Sequence, residues 1–259
     1  MNNSAEKVSP PLGDAYDAQY SGQITPWREL CGRYKAENIE AVCLGRRFAR
    51  VLDCGAGEGS VLAMLDSSGF CDDLSAIDIS SSGIAAVKSR RLTTLREATV
   101  FDGYKIPFED NHFDMAYCSH VIEHVEHPRI LLRELSRVAE YQVFEVPLDY
   151  SADVDSHSEH YHSYGHINVY SPSTFRFLLR SEGFEVLTER HTRISAEVIR
   201  YNWYKNMKML SNIRGELKLF LWPIYRALRI LQLGRTLYRE LEYSAYTCLT
   251  RRGVGLRIF

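Results

Sequence analysis

Four short runs carry side chains able to do chemistry, and each follows an apolar stretch. The first is Asp53-Cys54-Gly55-Ala56-Gly57-Glu58-Gly59. Its glycines let the backbone turn sharply and approach a ligand without a Cβ clash. A plain strand-to-helix turn accounts for the same residues, and a lone glycine motif is weak evidence. A dinucleotide would set its pyrophosphate at the N-terminus of the next helix, where the Glu58 carboxylate repels it. A cationic sulfonium carrying an amino group suits this acidic loop better, and Asp53 adds a second carboxylate. The second run, Ile77-Asp78-Ile79-Ser80, offers a carboxylate that can accept both hydroxyls of a ribose or cap the following helix. In the third, Phe101-Asp102-Gly103-Tyr104, Asp102 can accept from an adenine amino group while Tyr104 or Ile106 packs on the ring. Read alone, that Asp-Gly pair is a turn. The fourth, Ser119-His120-Val121-Ile122-Glu123-His124-Val125, is placed to face a transferred group.

The nine histidines are clustered: His120, His124 and His127 around the fourth run, and His157, His160, His162 and His166 in a later polar stretch. Imidazole is the natural proton acceptor near neutral pH, and transfer to an oxygen usually needs one. His124 and His166 are the first candidates for that base, with His120 beside them. Asp153, Asp155, His157, Glu159, His160 and His162 also have the donor types of a divalent-ion site, and Glu123 with His124 forms a second such pair. Solvated residues gating a pocket are the expectation for the later stretch, and no metal is assigned. Tyr16 and Tyr20 near the N-terminus, His162 and Tyr164 in the polar stretch, and Tyr201 further on are candidate contacts for an acceptor.

These runs must be positioned by regular elements, and the pattern supplies them. Residues 1 to about 20 read as a flexible arm, followed by a helix from Thr25 or Pro26 to about Leu44, Thr25 capping it. Strands are predicted at Phe48–Asp53, Leu74–Ile79, Ala98–Phe101, Phe113–Cys118 and Gln142–Val146, with helices at Ser60–Asp66, Ser82–Leu92 and Pro128–Ala139 between them. Such alternation implies parallel pairing with right-handed crossovers, and ligands then sit beyond the carboxyl ends of the strands. Residues 149–170 read as irregular. A helix at Ser171–Gly183, a strand at Phe184–Arg190, an amphipathic helical stretch over 195–242 and a last strand at Ala245–Thr250 complete the chain.

The runs VLDCGAGEGS, IDIS and FDGYKIPFEDNHFDMAYCSHVIEHVEHPRILLRELSRV, in this order, resemble the class I S-adenosylmethionine (SAM)-dependent methyltransferase family, nearest its small-molecule and sugar branch. The likeness is strong over 48–147 and weaker through HINVYSPSTFRFLLRSEGFEVL. It implies an α/β, Rossmann-like, doubly wound sheet of seven strands, the last antiparallel, here with a helical insertion before it. It also implies SAM, with S-adenosylhomocysteine as product, at Asp53, Gly55, Gly57, Asp78, Ile79, Asp102, Gly103, Ser119 and His120. The expected organisation is an arm and helix over 1–47 acting as a lid, a SAM-binding core over 48–194, a helical lid, dimer or surface element over 195–242, and a final strand and tail over 243–259.

Composition narrows the acceptor. The chain has 259 residues and a formal charge of -2, so no overall basic field attracts nucleic acid. No DPPY-like run, the mark of amino-methylating nucleic-acid enzymes, follows the fourth strand. Six scattered cysteines without a CxxC pair read as free thiols of a cytoplasmic protein. The N-terminus lacks a signal-peptide core. Leu217–Leu233 is apolar but interrupted by Arg226 and Arg229, so it is expected not to span a bilayer, while 217–241 suits peripheral membrane contact or a homodimer. A small-molecule acceptor is the main expectation. Its rivals are a protein or nucleic-acid methyltransferase and a noncatalytic SAM-binding subunit.

Overall fold

The computed structural model describes residues 10–20, 25–150 and 154–253. Seven strands form one sheet in the order β3-β2-β1-β4-β5-β7-β6: β1 (Phe48–Cys54), β2 (Cys71–Asp78), β3 (Leu95–Val100), β4 (Phe113–Ser119), β5 (Ala139–Pro147), β6 (Phe184–Thr192) and β7 (Ala245–Arg252). The first five pair in parallel, and β7 runs antiparallel to both β5 and β6. The expected doubly wound sheet with an antiparallel last strand is therefore present. The order reverses between β1 and β4, which opens a crevice at their carboxyl ends.

Apolar runs explain the centre of the sheet. Val51, Leu52, Ile77, Ala116 and Phe144 are buried, covered by helices on both faces. Leu131, Leu132, Leu135 and Val138 line the inner stripe of α5 (Pro128–Val138). Two separate clusters of buried side chains lie on the two sides of the sheet, as a doubly wound layer arrangement requires. The caps follow the sequence: Thr25 accepts from Arg28 N at the start of α2 (Pro26–Cys43), and Ser171 forms a capping box with Thr174 at α7 (Pro172–Ser181). All six cysteines are free thiols.

Two expectations change, and the expected helical insertion is present. The described part of the arm is helical: α1 (Pro10–Tyr20) docks on the start of α4 (Ser81–Ser89). The Asp17 carboxylate accepts from Ser80 Oγ at 2.8 Å, Ser81 Oγ at 3.1 Å and Ser82 N at 3.1 Å. These are long-range bonds that local periodicity does not reveal. The polar stretch after β5 contains α6 (Val154–Ser163), which has no buried residue and hence no apolar stripe to announce it. The insertion is α8 (Ala196–Tyr201), a π-helical turn (Asn202–Asn206) and α9 (Ile213–Leu241), which kinks at Gly234.

On α9, Ile213, Leu217, Phe220, Ile224, Leu228 and Leu231 fall on one side of the helix and are all exposed, between 54% and 82%. Gly215, Trp222 and Arg229 are turned toward the protein instead. Among the described residues no helix is long and apolar enough to cross a membrane.

One buried acid fastens the β5–β6 side. Glu182, at the end of α7, has no exposed surface and accepts from Arg129 Nη1 at 2.7 Å and Arg133 Nε at 2.8 Å, both on α5. Burial raises its pKa, but the hydrogen bonds from Arg133 and Arg129 outweigh that and leave it low. Glu182→Ala should cost about 2–3 kcal/mol through the lost charge-assisted bonds, read as a fall in the thermal midpoint of roughly 4–10 °C. Because the folded pKa is depressed, the contribution is present above the unfolded carboxylate pKa and fades as pH falls through the folded one. The gap between the two proteins should accordingly narrow in acid.

Candidate active site

The loop between β1 and α3 (Ser60–Ser68) is built around glycines that admit no side chain. Gly55 has φ +87, and a Cβ there would lie 2.3 Å from Val121 Cγ2 in the loop after β4. Gly57 has φ +52, and a Cβ there would meet the Tyr20 ring at 3.0 Å. Gly57 N donates to Asp78 Oδ2 at 2.7 Å, while Ser80 N donates to Asp78 Oδ1 at 2.8 Å. Asp78 thus ties the glycine loop to the end of β2. The helix cap beside it is Ser80, which accepts from Gly83 N. Each Asp78 oxygen keeps a lone pair for a further donor.

Three buried carboxylates share this corner. Asp53 is 3% exposed, Asp78 5% and Glu58 8%. Burial pushes Asp53 up to about 8, against the Tyr117 hydroxyl that donates to it at 2.6 Å, and Asp78 adds to the rise. Asp78 is raised as well, chiefly by burial. A cation entering here relieves the repulsion, whereas a pyrophosphate adds to it.

A cavity of about 490 Å³ runs from this corner to the loop after β4. Its wall includes Asp53, Gly55, Gly57, Asp78, Ile79, Gly103, Ser119, His120, His124 and His166 of the predicted set, with Tyr16, Tyr20 and Tyr164 among the acceptor candidates. Five residues expected at the site do not line it. Asp102 does not line the cavity; its Oδ1 accepts from Tyr104 N at 3.0 Å and Lys105 N at 2.7 Å, which ties one oxygen to the turn. Tyr104 and Ile106 are buried in the protein, and Phe101 takes the cavity wall in their place. His162 is exposed on α6. Tyr201 stands one ring behind the wall, 5.6 Å from Trp27, which itself lines the cavity. Of the candidate ligand set in the polar stretch, Asp155, His157, Glu159, His160 and His162 are exposed, and Asp153 lies outside the described residues.

The far end of the cavity gathers imidazoles around a carboxylate. His124 and His166 meet edge to face at 4.8 Å. His124 Nδ1 bonds Gly165 O at 2.9 Å, and His166 Nδ1 bonds Asp149 Oδ2 at 2.5 Å. Glu123 Oε1 lies 3.5 Å from His120 Nδ1 and 3.8 Å from His124 Nε2. Burial lowers His120 and brings His124 down to about 4, so both are neutral at pH 7. Burial also lowers His166, but Asp149 and Glu123 leave it raised overall. Glu123 and Asp149 are the residues that the sequence reading undervalued as site members. Asp149 follows the carboxyl end of β5, so the strand-end rule alone could have flagged it.

A sheet of this order, a glycine turn after β1, an acid at the end of β2 and an acidic cavity reaching imidazoles define the class of SAM-dependent methyltransferases. Residues 25–189 match the family model described as a methyltransferase domain, and the chain belongs to that family. "Putative methyltransferase YrhH" of Bacillus subtilis (strain 168) is 28% identical over 119 residues, 43% of this chain and 66% of that protein. The match thus stops short of two thirds of that relative. Geranyl diphosphate C-methyltransferase from Streptomyces coelicolor A3(2), solved with Mg2+, geranyl diphosphate and S-adenosylhomocysteine, superposes with TM-score 0.63 at 12% identity, covering 96% of this chain and all of that one (100%). A Haloferax volcanii methyltransferase solved with its Trm112 activator gives 0.61 at 14% identity, over 97% and 100% of the two chains. At such identities the likeness is one of fold.

The residues present fit SAM. Two glycines leave a cradle that a Cβ would fill, and three buried acids favour a cation. Gly57→Val and Asp78→Asn should each weaken SAM binding at least about tenfold, which is about 1.4 kcal/mol, in calorimetry on variants whose circular dichroism is unchanged; unaltered affinity in both refutes the site. Asp53 offers a pH test without ligand. Its folded pKa lies above the unfolded value near 3.9, so its contribution is greatest in acid and is lost as pH rises toward about 8. Asp53→Asn keeps an acceptor for Tyr117 and removes that loss. The variant's melting temperature relative to the parent should therefore climb between about pH 5 and 8.

Proposed function

We propose that this protein transfers the methyl group of SAM to an oxygen or nitrogen of a small molecule, such as a sugar, glycolipid or secondary metabolite, met at a membrane surface. The observation that carries the reading is the single cavity joining the acidic glycine corner to the imidazole cluster. When bound, SAM supplies an electrophilic methyl on a cationic sulfonium. Gly57 and Asp78 hold the donor and orient it, and alignment is most of what the protein must contribute. In this reading His120 accepts the acceptor's proton: burial keeps it neutral, and among the described residues its ring makes no hydrogen bond that would occupy it.

Helix α1 supports a small acceptor. Tyr16 and Tyr20 form part of the wall and narrow the approach to the imidazoles. The formal charge of -2 also disfavours a nucleic-acid acceptor. The solved relative that takes geranyl diphosphate has a small-molecule acceptor, which supports the same class here.

The membrane part rests on α9. Its outward stripe is larger than scattered surface apolar residues require, and exposed Arg214 and Lys218 stand beside it. Such a helix lies in the plane of an anionic bilayer, each nearby cation adding about 1 kcal/mol.

Three measurements test this. Labelled methyl from SAM should enter a small-molecule acceptor; label found only in protein or tRNA sinks the reading, and SAM binding without turnover of any acceptor points to a noncatalytic subunit. With the acceptor in hand, His120→Asn, chosen because Asn tolerates the residue's φ of +56, should lower kcat by about 10²–10⁴-fold. Separately, the protein should float with phosphatidylglycerol vesicles, and Phe220→Glu with Ile224→Glu should abolish flotation while SAM affinity holds. Failure of the parent to float, with a concentration-dependent dimer in its place, would make α9 a contact between copies.

A further inference from the structure

Two fully buried carboxylates beside the cavity are treated differently by their surroundings. Glu145 on β5 accepts from Asn38 Nδ2 at 2.7 Å, Ser119 Oγ at 2.6 Å and Thr247 Oγ1 at 3.2 Å. Glu123, on the short 3-10 turn after β4 (Ile122–His124), has no exposed surface, and neither of its oxygens has a hydrogen-bond partner. A buried carboxylate left without donors is costly, and its persistence calls for a ligand or a catalytic use.

What faces Glu123 is a ligand set. One donor atom each from Glu123, His124 and His166 lie within 4.8 Å of one another, the one grouping of its kind among the described residues. Both imidazoles are fixed from behind. Gly165 O holds His124 at Nδ1, and Asp149 Oδ2 holds His166 at Nδ1. That leaves Nε2 of each ring as the coordinating nitrogen, and it is how metal-binding histidines are ordinarily held: the distal N–H goes to a carbonyl or a carboxylate, which sets the tautomer. All three residues line the cavity.

We propose that Glu123, His124 and His166 bind a divalent transition-metal ion of the zinc type whose open coordination positions face the acceptor end of the cavity. Two imidazoles and a carboxylate with open positions are the donor set of a catalytic rather than a structural site. Bonds of about 2.0–2.2 Å bring tetrahedral donors to roughly 3.3 Å apart, so loading draws the cluster inward by side-chain rotation. The inference rests on the methyl-transfer reading and narrows it to an oxygen acceptor, because a cation on an amine would occupy the lone pair that must attack. A hydroxyl held by the ion is more acidic. Its proton passes to His120, its oxygen lone pair forms the new C–O bond, and the pair of the breaking S–C bond stays on sulfur.

The test uses tag-free, chelator-stripped full-length protein, with Co2+ as the optical probe and Zn2+ in calorimetry. One Co2+ per chain should bind with a visible d–d spectrum and be displaced by Zn2+. Glu123→Gln should abolish the spectrum. Asp149→Asn, which leaves all three ligands in place, should weaken Co2+ binding about 10–100-fold, and Asp155→Asn on the exposed α6 should leave it unchanged. SAM affinity, measured in parallel, should stay within about twofold in Glu123→Gln and Asp149→Asn. A parent that binds SAM but takes up neither ion at one per chain overturns the metal site and leaves the methyl-transfer reading standing. Failure to bind SAM overturns that reading instead. Co2+ binding as tight in Glu123→Gln as in the parent removes Glu123 from the site.

Discussion

The Asp78 carboxylate sets the geometry on which the donor end of the cavity depends. It has two oxygens and holds two backbone N–H groups from different loops, Gly57 and Ser80. These amides would otherwise be unsatisfied in a nearly closed corner, and an acid is the side chain that can take both and still accept from a ligand. Burying it raises its free energy, and Asp53 and Glu58 alongside raise it further. The corner is thus held in shape by hydrogen bonds and left short of positive charge. Its shape comes from the loops, and its preference for a cation comes from the unrelieved acids.

The same corner explains how α1 is held. Ser80, Ser81 and Ser82 present hydroxyls and an amide at the start of α4, and Asp17 of α1 collects them. An acid near a helix N-terminus is favoured electrostatically, so α4 is capped once by its own Ser80 and again by another helix. Arg28 reaches back from α2 to Gln19 O and lies 5.3 Å from the centre of the Tyr20 ring. Through these contacts Tyr20 comes to rest over Gly57 and Tyr16 against His124. One short helix therefore touches both the donor and the acceptor end.

How much of this was legible in the sequence depended on the range of the forces involved. The strand-and-helix core could be read because Val51, Leu52, Ile77 and Phe144 sit in apolar runs whose period reports burial directly. The glycine loop and Asp78 could be read because strand ends in a doubly wound sheet converge on one crevice. For Asp102 the sequence leaves the role open, because an Asp-Gly pair looks the same whether its carboxylate serves a ligand or the turn whose amides its Oδ1 accepts from. The helix of residues 10–20 was missed because its partners lie more than sixty residues away. Helix α6 was missed because a helix that buries nothing has no stripe to read. Glu123 was visible as a residue type, but its lack of any donor is a fact of packing that no spacing encodes.

The two ends of the cavity are consequently built on different principles. The donor end uses backbone amides, glycines and acids fixed by the sheet, and little in it can vary without breaking the crevice. The acceptor end uses side chains from the turn after β4 and the segment after β5, held by single contacts such as Asp149 to His166 and Gly165 to His124. Those segments carry few strand hydrogen bonds, so their residues can change while the sheet stays intact. The geranyl diphosphate C-methyltransferase shares the fold at 12% identity. In this chain the acceptor end is a buried carboxylate facing two pinned imidazoles, a chemical character that the shared sheet does not dictate and that must answer to the acceptor.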